Sequence, residues 1–233
     1  MTRYMTGALA GAVVLGLTAP AFAEKPIWGI RAEQMEYRVA EGGNSAVWDF
    51  DALYGNDEIK LVWRSQGEYA LEEDAFETLE NQIRLQVPIS TFFYAVAGVR
   101  AATPVGPDRF SGVIALRGLA PQWFEIDLEL FVSDKPQVRF EAEYQVLFTN
   151  RIFLVPSIEV NLPMVDDEAV GLSGFGPTME VGARLHYDVV DRLFSPYVGV
   201  NYERSFGGTA NLARAEGREA GTVSIVVGAR ILY

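Results

Sequence analysis

The chain has 233 residues, 49 % of them hydrophobic, a formal charge of −12 and no cysteine. So acidic a protein repels phosphate, and no nucleic-acid partner is expected. Without cysteine there is neither a disulfide framework nor a thiolate metal site, and the length fits one domain.

The first segment, MTRYMTGALAGAVVLGLTAPAFA, reads as a signal peptide over 1–23: Arg3, an apolar run from Ala8 to Leu17, then the small-x-small signal Ala21-Phe22-Ala23. The apolar run is shorter than the roughly 20 residues of a spanning helix, which argues against a membrane anchor. Arg3 is the only charged residue before Glu24, so cleavage after Ala23 leaves a chain one unit more acidic. Beyond Glu24 the longest apolar stretch, TFFYAVAGV at 91–99, stops at Arg100, so a mature chain that meets a membrane does so with strands.

Alternation of apolar and polar residues marks about twelve segments, each near the roughly 9–11 residues with which a tilted strand crosses a bilayer. They fall at 28–39, 45–54, 58–67, 76–88, 91–101, 109–118, 123–132, 137–148, 151–162, 177–188, 196–206 and 222–233, the first, third and fourth having the least regular pattern. The last is the clearest: Val223, Ile225, Val227, Ala229, Ile231 and Tyr233 share one face, with Ser224, Gly228 and Arg230 on the other. No long amphipathic helix is available to cover so many apolar strand faces, whereas lipid covers them directly. The expected fold is therefore all-β: one closed antiparallel transmembrane β-barrel of about 12 strands, spanning 24–233.

Short links at 55–57, 89–90 and 149–150, set against long ones at 162–177 and 206–221, predict tight turns at one barrel end and exposed loops at the other. The short SDKPQ link is an exception on the loop side. Trp28, Trp48, Trp63, Trp123, Phe153 and Tyr233 lie mostly near segment ends, where an interfacial aromatic girdle or ordinary end packing places them.

The SDKPQ link pairs 124–132 with 138–148 and puts Glu125, Asp127, Glu129, Glu141 and Glu143 on one face turned away from lipid, with only Arg139 beside them. Like charges opposed in a ladder repel, so arginines across the lumen, raised carboxyl pKa values or bound cations must compensate. Arg84, Arg117, Arg184 and Arg230 have the phase for the first solution. Charges that line or plug a narrow barrel are the simpler reading, and a cation path the sharper one.

His186, the only histidine, shares a lumen face with Glu180, Gly182 and Arg184; it is a lone ligand, a base, or a polar lining residue. With no co-facing serine evident, lining is preferred and no enzyme is expected. Met35, Met164 and Met179 are the methionines left after cleavage; Met164 falls in a loop, and Met179 is out of phase with His186 and faces lipid.

Three stretches, NSAVWDFDALYGND (44–57), RGLAPQWFEIDLELFVSDKPQVRFEAEYQVLFTNRIFLVPSIEVNL (117–162) and SPYVGVNYERSFGGTANLARAEG (195–217), resemble the copper resistance protein B family. That resemblance implies a cell outer-membrane barrel that binds or moves copper ions, acting beside a periplasmic multicopper oxidase and embedded in outer-membrane lipid. Members often carry a Met- and His-rich amino-terminal extension, whereas here only Glu24-Lys25-Pro26-Ile27 precedes the first expected strand. Copper ion is the expected ligand, and Glu125, Asp127, Glu129, Glu141, Glu143 and His186 are the candidate metal-contacting residues. The alternatives are a closed structural barrel whose loops bind a partner, and an enzyme that uses His186.

Overall fold

The computed structural model describes residues 26–104, 106–190 and 192–233; the expected signal segment lies outside them. Twelve strands follow in order: β1 (Ile27–Ala40), β2 (Gly43–Gly55), β3 (Lys60–Ala70), β4 (Ala75–Pro88), β5 (Phe93–Pro104) and β6 (Arg109–Ala120), then β7 (Phe124–Val132), β8 (Gln137–Glu143, resuming at Val146–Leu147), β9 (Ile152–Pro163), β10 (Thr178–Tyr187), β11 (Phe194–Ser205) and β12 (Gly221–Leu232). Each pairs antiparallel with its sequence neighbours, and β12 returns to β1, so the sheet closes as an up-and-down barrel without a free edge. The last bonds of closure are reciprocal: Ile30 N–H donates to the Tyr233 carbonyl at 2.7 Å, and Tyr233 N–H returns to Ile30 at 2.8 Å.

Period-2 patterning decides which way each side chain points. In β12, Val223, Ile225 and Val227 are exposed on the outside while Ser224 and Val226 are buried inside. In β7, Leu128, Leu130 and Val132 point out, and Asp127, Glu129 and Phe131 point in. The exterior is thus a belt of apolar side chains, the reverse of a water-soluble protein, and no helix among the described residues is long and apolar enough to cross a membrane.

Three details depart from the sequence expectation. β8 is interrupted at Tyr144 and Gln145 because Pro156 of β9 has no N–H to offer there; only Tyr144 N–H is satisfied, by the Pro156 carbonyl at 3.1 Å. Phe153, assigned to the girdle, instead turns inward and is buried. The expected loop at 206–221 contains a helix, α1 (Gly207–Ala215), entered through Gly207 at φ +58° and built from the helix-favouring run Ala-Asn-Leu-Ala-Arg-Ala.

Only two of the links at the loop end are long, 164–177 and 206–220; the others at that end have two to four residues. At the opposite, turn end, Trp28 packs on Tyr233 with ring centroids 5.3 Å apart, and Trp123 is also exposed. Hydrocarbon covering the outer belt makes Ile225→Lys costly, by about 2–4 kcal/mol near the bilayer midplane. Chemical unfolding of the barrel refolded in lipid vesicles measures this, and an unchanged midpoint would contradict lipid contact at Ile225.

Candidate functional site

The five predicted carboxylates do share the inner face of adjacent strands: Glu125 stands opposite Glu143, Asp127 opposite Glu141, and Glu129 opposite Arg139. Two rungs of this ladder therefore place carboxylate against carboxylate, a repulsive arrangement unless something intervenes. Arginines supply the intervention. Arg84 of β4 contacts Asp127 at 3.1 Å and also contacts Glu129. Arg64 of β3 reaches Asp49 at 2.9 Å, Glu141 at 2.8 Å, Asp127 at 3.4 Å and Glu129 at 3.5 Å.

Geometry makes these bonds a crossing of the lumen and not a decoration of its wall. β3 and β8 are five strands apart in a ring of twelve, so the Arg64–Glu141 pair is close to diametric. Arg139 of β8 reaches back to Glu80 of β4 at 3.0 Å and to Gln66 of β3 at 2.9 Å. Arg84 and Glu129 are 0 % exposed, as expected for groups sealed at the centre of the barrel. Beside them Phe131 lies under two guanidinium groups, with the Arg100 carbon 4.1 Å and the Arg139 carbon 5.1 Å from its ring centroid.

The other arginines with the correct phase are also paired. Arg117 bonds Asp51 at 3.1 Å, Arg230 lies 3.7 Å from Glu33, and Arg184 bonds Glu36. Arg184 belongs to a separate buried group in which Arg38 joins Glu36 (3.1 Å) to Glu180 (2.9 Å). Sequence reasoning missed Arg64 and Arg38. Both were legible from their inward phase: Arg64 alternates with the outward Leu61 and Trp63, and Arg38 with Tyr37 and Val39.

His186 does not join the acidic ladder. Its ring stacks on Phe153 (centroids 4.7 Å apart, 9° between planes) and touches Tyr197 at 4.5 Å, and its Nδ1 is buried without a hydrogen-bond partner. Two residues along, Asp188 accepts a hydrogen bond from the buried Ser195 hydroxyl, an inward-facing serine the sequence pattern had not revealed. Among the described residues no three His, Asp or Glu side chains converge as a ready metal cage.

The central bridges leave one cavity on each side. The loop-end chamber, about 350 Å³, is lined by eight carboxylates against four arginines. The turn-end chamber, about 430 Å³, is lined by six carboxylates against two arginines and one lysine. Glu141 and Glu143 line both. Glu125 and Glu143 make no ion pair among the described residues, and both line the turn-end chamber.

The loop-end chamber is partly roofed by the 164–177 link, whose Val170 and Leu172 line it. Asp167 accepts two hydrogen bonds from Arg109 across the mouth, at 2.6 and 2.8 Å, and Lys135 holds the Asp166 carbonyl at 2.5 Å. Thr209 of α1 staples the two long links together: its hydroxyl donates to the Gly176 carbonyl at 2.6 Å and accepts from Ser173 N–H at 3.0 Å.

A closed twelve-stranded barrel with an apolar exterior and a charged, filled lumen defines a porin-like membrane β-barrel. Solved porins share this fold: a NanC porin (TM-score 0.55, 12 % identity, 88 % of this chain and 99 % of that one) and the KdgM porin (TM-score 0.51, 10 % identity, 88 % and 98 %). Within that class, residues 26–233 match the family model described as copper resistance protein B precursor. Copper resistance protein B of Escherichia coli is 33 % identical over 203 residues, covering 86 % of this chain and 68 % of that protein. The copper resistance protein B homolog of Pseudomonas syringae pv. tomato (strain ATCC BAA-871 / DC3000) is 31 % identical over 204 residues, covering 87 % and 68 %. The chain belongs to the copper resistance protein B family.

The Asp167–Arg109 tie carries a pH dependence. The Arg109 hydrogen bonds hold the Asp167 carboxyl below its ordinary range. The tie is therefore at full strength above the usual aspartate value of about 4 and fails only as the pH drops through the lowered value. The chain has no cysteine, so a spin label on Glu168→Cys reports this link alone. Its spectrum is expected to be immobilised at pH 7 and mobile at the same pH in the added presence of Asp167→Asn; equal mobility in both would contradict the tie.

Proposed function

We propose that this chain is an outer-membrane barrel of a copper resistance system that attracts copper ions into its acidic lumen and holds or passes them there. One observation carries the reading: both lumen chambers are lined by twice as many carboxylates as cationic side chains. Low-dielectric walls concentrate that excess into a field that draws cations inward. Family membership supplies the ion, since the relatives are named for copper resistance. An apolar exterior supports insertion in lipid, and the porin-like fold supports the outer membrane as its site.

Of the candidate residues, Glu125 and Glu143 are placed to meet an arriving cation, because they line the chambers without an ion pair among the described residues, whereas Glu141, which lines both, is held by Arg64. Asp127 and Glu129 are engaged by Arg64 and Arg84, and His186 sits among aromatic rings away from the ladder. Carboxylate oxygens select poorly for copper over other divalent ions, so guidance by charge is the role this lining suits. On this reading the chain has no catalytic task, and His186 is a lumen residue. Copper held or released at the turn end would meet a periplasmic multicopper oxidase of the same system, the partner the reading implies.

A second reading is favoured by the bridges across the lumen and by the stapled loops: a barrel closed to ions whose loop end docks a partner. Copper influx into liposomes carrying the folded protein separates the two, with zinc and calcium in parallel and protein-free liposomes as the blank. Influx above the blank is the expected result, reduced several-fold in Glu125→Gln/Glu143→Gln with barrel migration on gels unchanged. No influx of any ion would transfer the weight to the closed barrel, and an unaltered rate in the double variant would remove those carboxylates from the path.

A further inference from the structure

Arg64 and Arg84 stand between the two chambers, and their role reaches beyond neutralising a wall. Arg64 draws together carboxylates from β2, β7 and β8, while Arg84 binds two from β7, so the pair forms a bar across the lumen at the level of Glu129. Neither guanidinium lines either cavity, and both are almost wholly buried. The bar stands between the two chambers.

The carboxylates in the bar are not saturated. Asp127 Oδ1 and Glu141 Oε1 are buried without a hydrogen-bond partner, and Asp127 as a whole is only 4 % exposed. Leaving a buried acceptor unmade is unfavourable, so these oxygens are poised to take a cation if one reaches them. A guanidinium that already shares several carboxylates has alternatives: Arg64 released from Asp127 and Glu129 still holds Asp49 and Glu141. Losing part of such a shared set is less unfavourable than breaking an isolated buried pair.

We propose that Arg64 and Arg84 are the residues that determine what crosses this barrel: a small divalent cation passes from one chamber to the other by replacing a guanidinium on Asp127 and Glu129, whereas solutes that cannot displace it are stopped. This deepens the proposed function by naming the barrier and the exchange that opens it. No covalent bond is made or broken in the step; the guanidinium hydrogen bonds are lost as one cation takes the place of another on the same oxygens.

The test uses potassium, so that its outcome does not depend on copper being the natural ion. Purified full-length protein is inserted into planar bilayers, and unitary conductance and reversal potential in a potassium chloride gradient are recorded. Wild type is expected to conduct weakly. Arg64→Gln/Arg84→Gln removes the bar and leaves its carboxylates free, so conductance rises several-fold and the pore becomes cation-selective. A second variant that also carries Asp127→Asn and Glu129→Gln has a neutral bar, avoids unpaired buried charge, and is expected to conduct comparably but with weaker cation selectivity.

If the double variant fails to form a heat-modifiable barrel, the conductance of the fourfold variant decides the matter. Wild type conducting as well as the variants, or a fourfold variant as closed as wild type, would overturn the bar as the barrier. Identical ion selectivity in two conducting variants would overturn the part assigned to Asp127 and Glu129. A bar confirmed with potassium while copper influx fails would leave this inference standing and remove the copper reading instead.

Discussion

Closing a sheet on itself solves the edge problem and creates another, because whatever points inward is enclosed and must find its partners there. In this barrel the inward residues include many carboxylates, and an isolated buried carboxylate is severely penalised. The interior therefore depends on guanidinium groups that each satisfy several acids at once, Arg64 and Arg139 above all. Arginine suits the task because its planar fork presents five donors and remains charged wherever it is buried. Buried ion pairs add little net stability over apolar packing, but they fix geometry. Their effect here is to tie opposite walls together and set the cross-section of the lumen.

That constraint orders the rest of the molecule. Bridging at mid-height divides the lumen into two acidic chambers, and the apolar set Val96, Val113, Ala115 and Phe131 packs the inner wall beside the bridges. At one end the folded 164–177 link covers part of the mouth, held by Arg109 and by Thr209 of α1. At the other end the turns are short, and the chain closes through the Ile30–Tyr233 backbone pair. A cation thus meets a lining in which carboxylates outnumber cationic groups at either end before it meets Arg64 or Arg84.

Much of this was legible in the sequence because a two-residue period is a rigid geometric rule. The inward phase of Asp127, Glu129, Arg84 and Arg184 followed from counting alone, and so did the need to offset the acids, for which arginine was one of three solutions. What counting could not supply was partnership across the lumen. Arg64 and Glu141, or Arg38 and Glu180, lie on strands that are not neighbours in the chain, and their meeting depends on how the ring closes. Phe153 escaped because aromatic residues at strand ends suit both an outer girdle and an inner stack, and only its pairing opposite His186 places it inside. The helix at Gly207–Ala215 was hidden because two glycines and nine residues carry a weak helical signal; its docking on the neighbouring link gives it a buried face of Thr209, Ala210 and Ala213. The family resemblance was carried by the strand and turn motifs at 44–57, 117–162 and 195–217, which the match over residues 26–233 includes.

The central claim is that arginine–carboxylate bridges cross the lumen. Nuclear magnetic resonance of the arginine side-chain nitrogens, recorded on barrel refolded in lipid nanodiscs, tests it directly. Arg64, Arg84 and Arg139 are predicted to give separate guanidinium signals whose protons exchange slowly with water, while the exposed Arg192 and Arg218 exchange fast. A single fast-exchanging envelope for all of them would mean a water-filled lumen with mobile arginines, and would contradict the account.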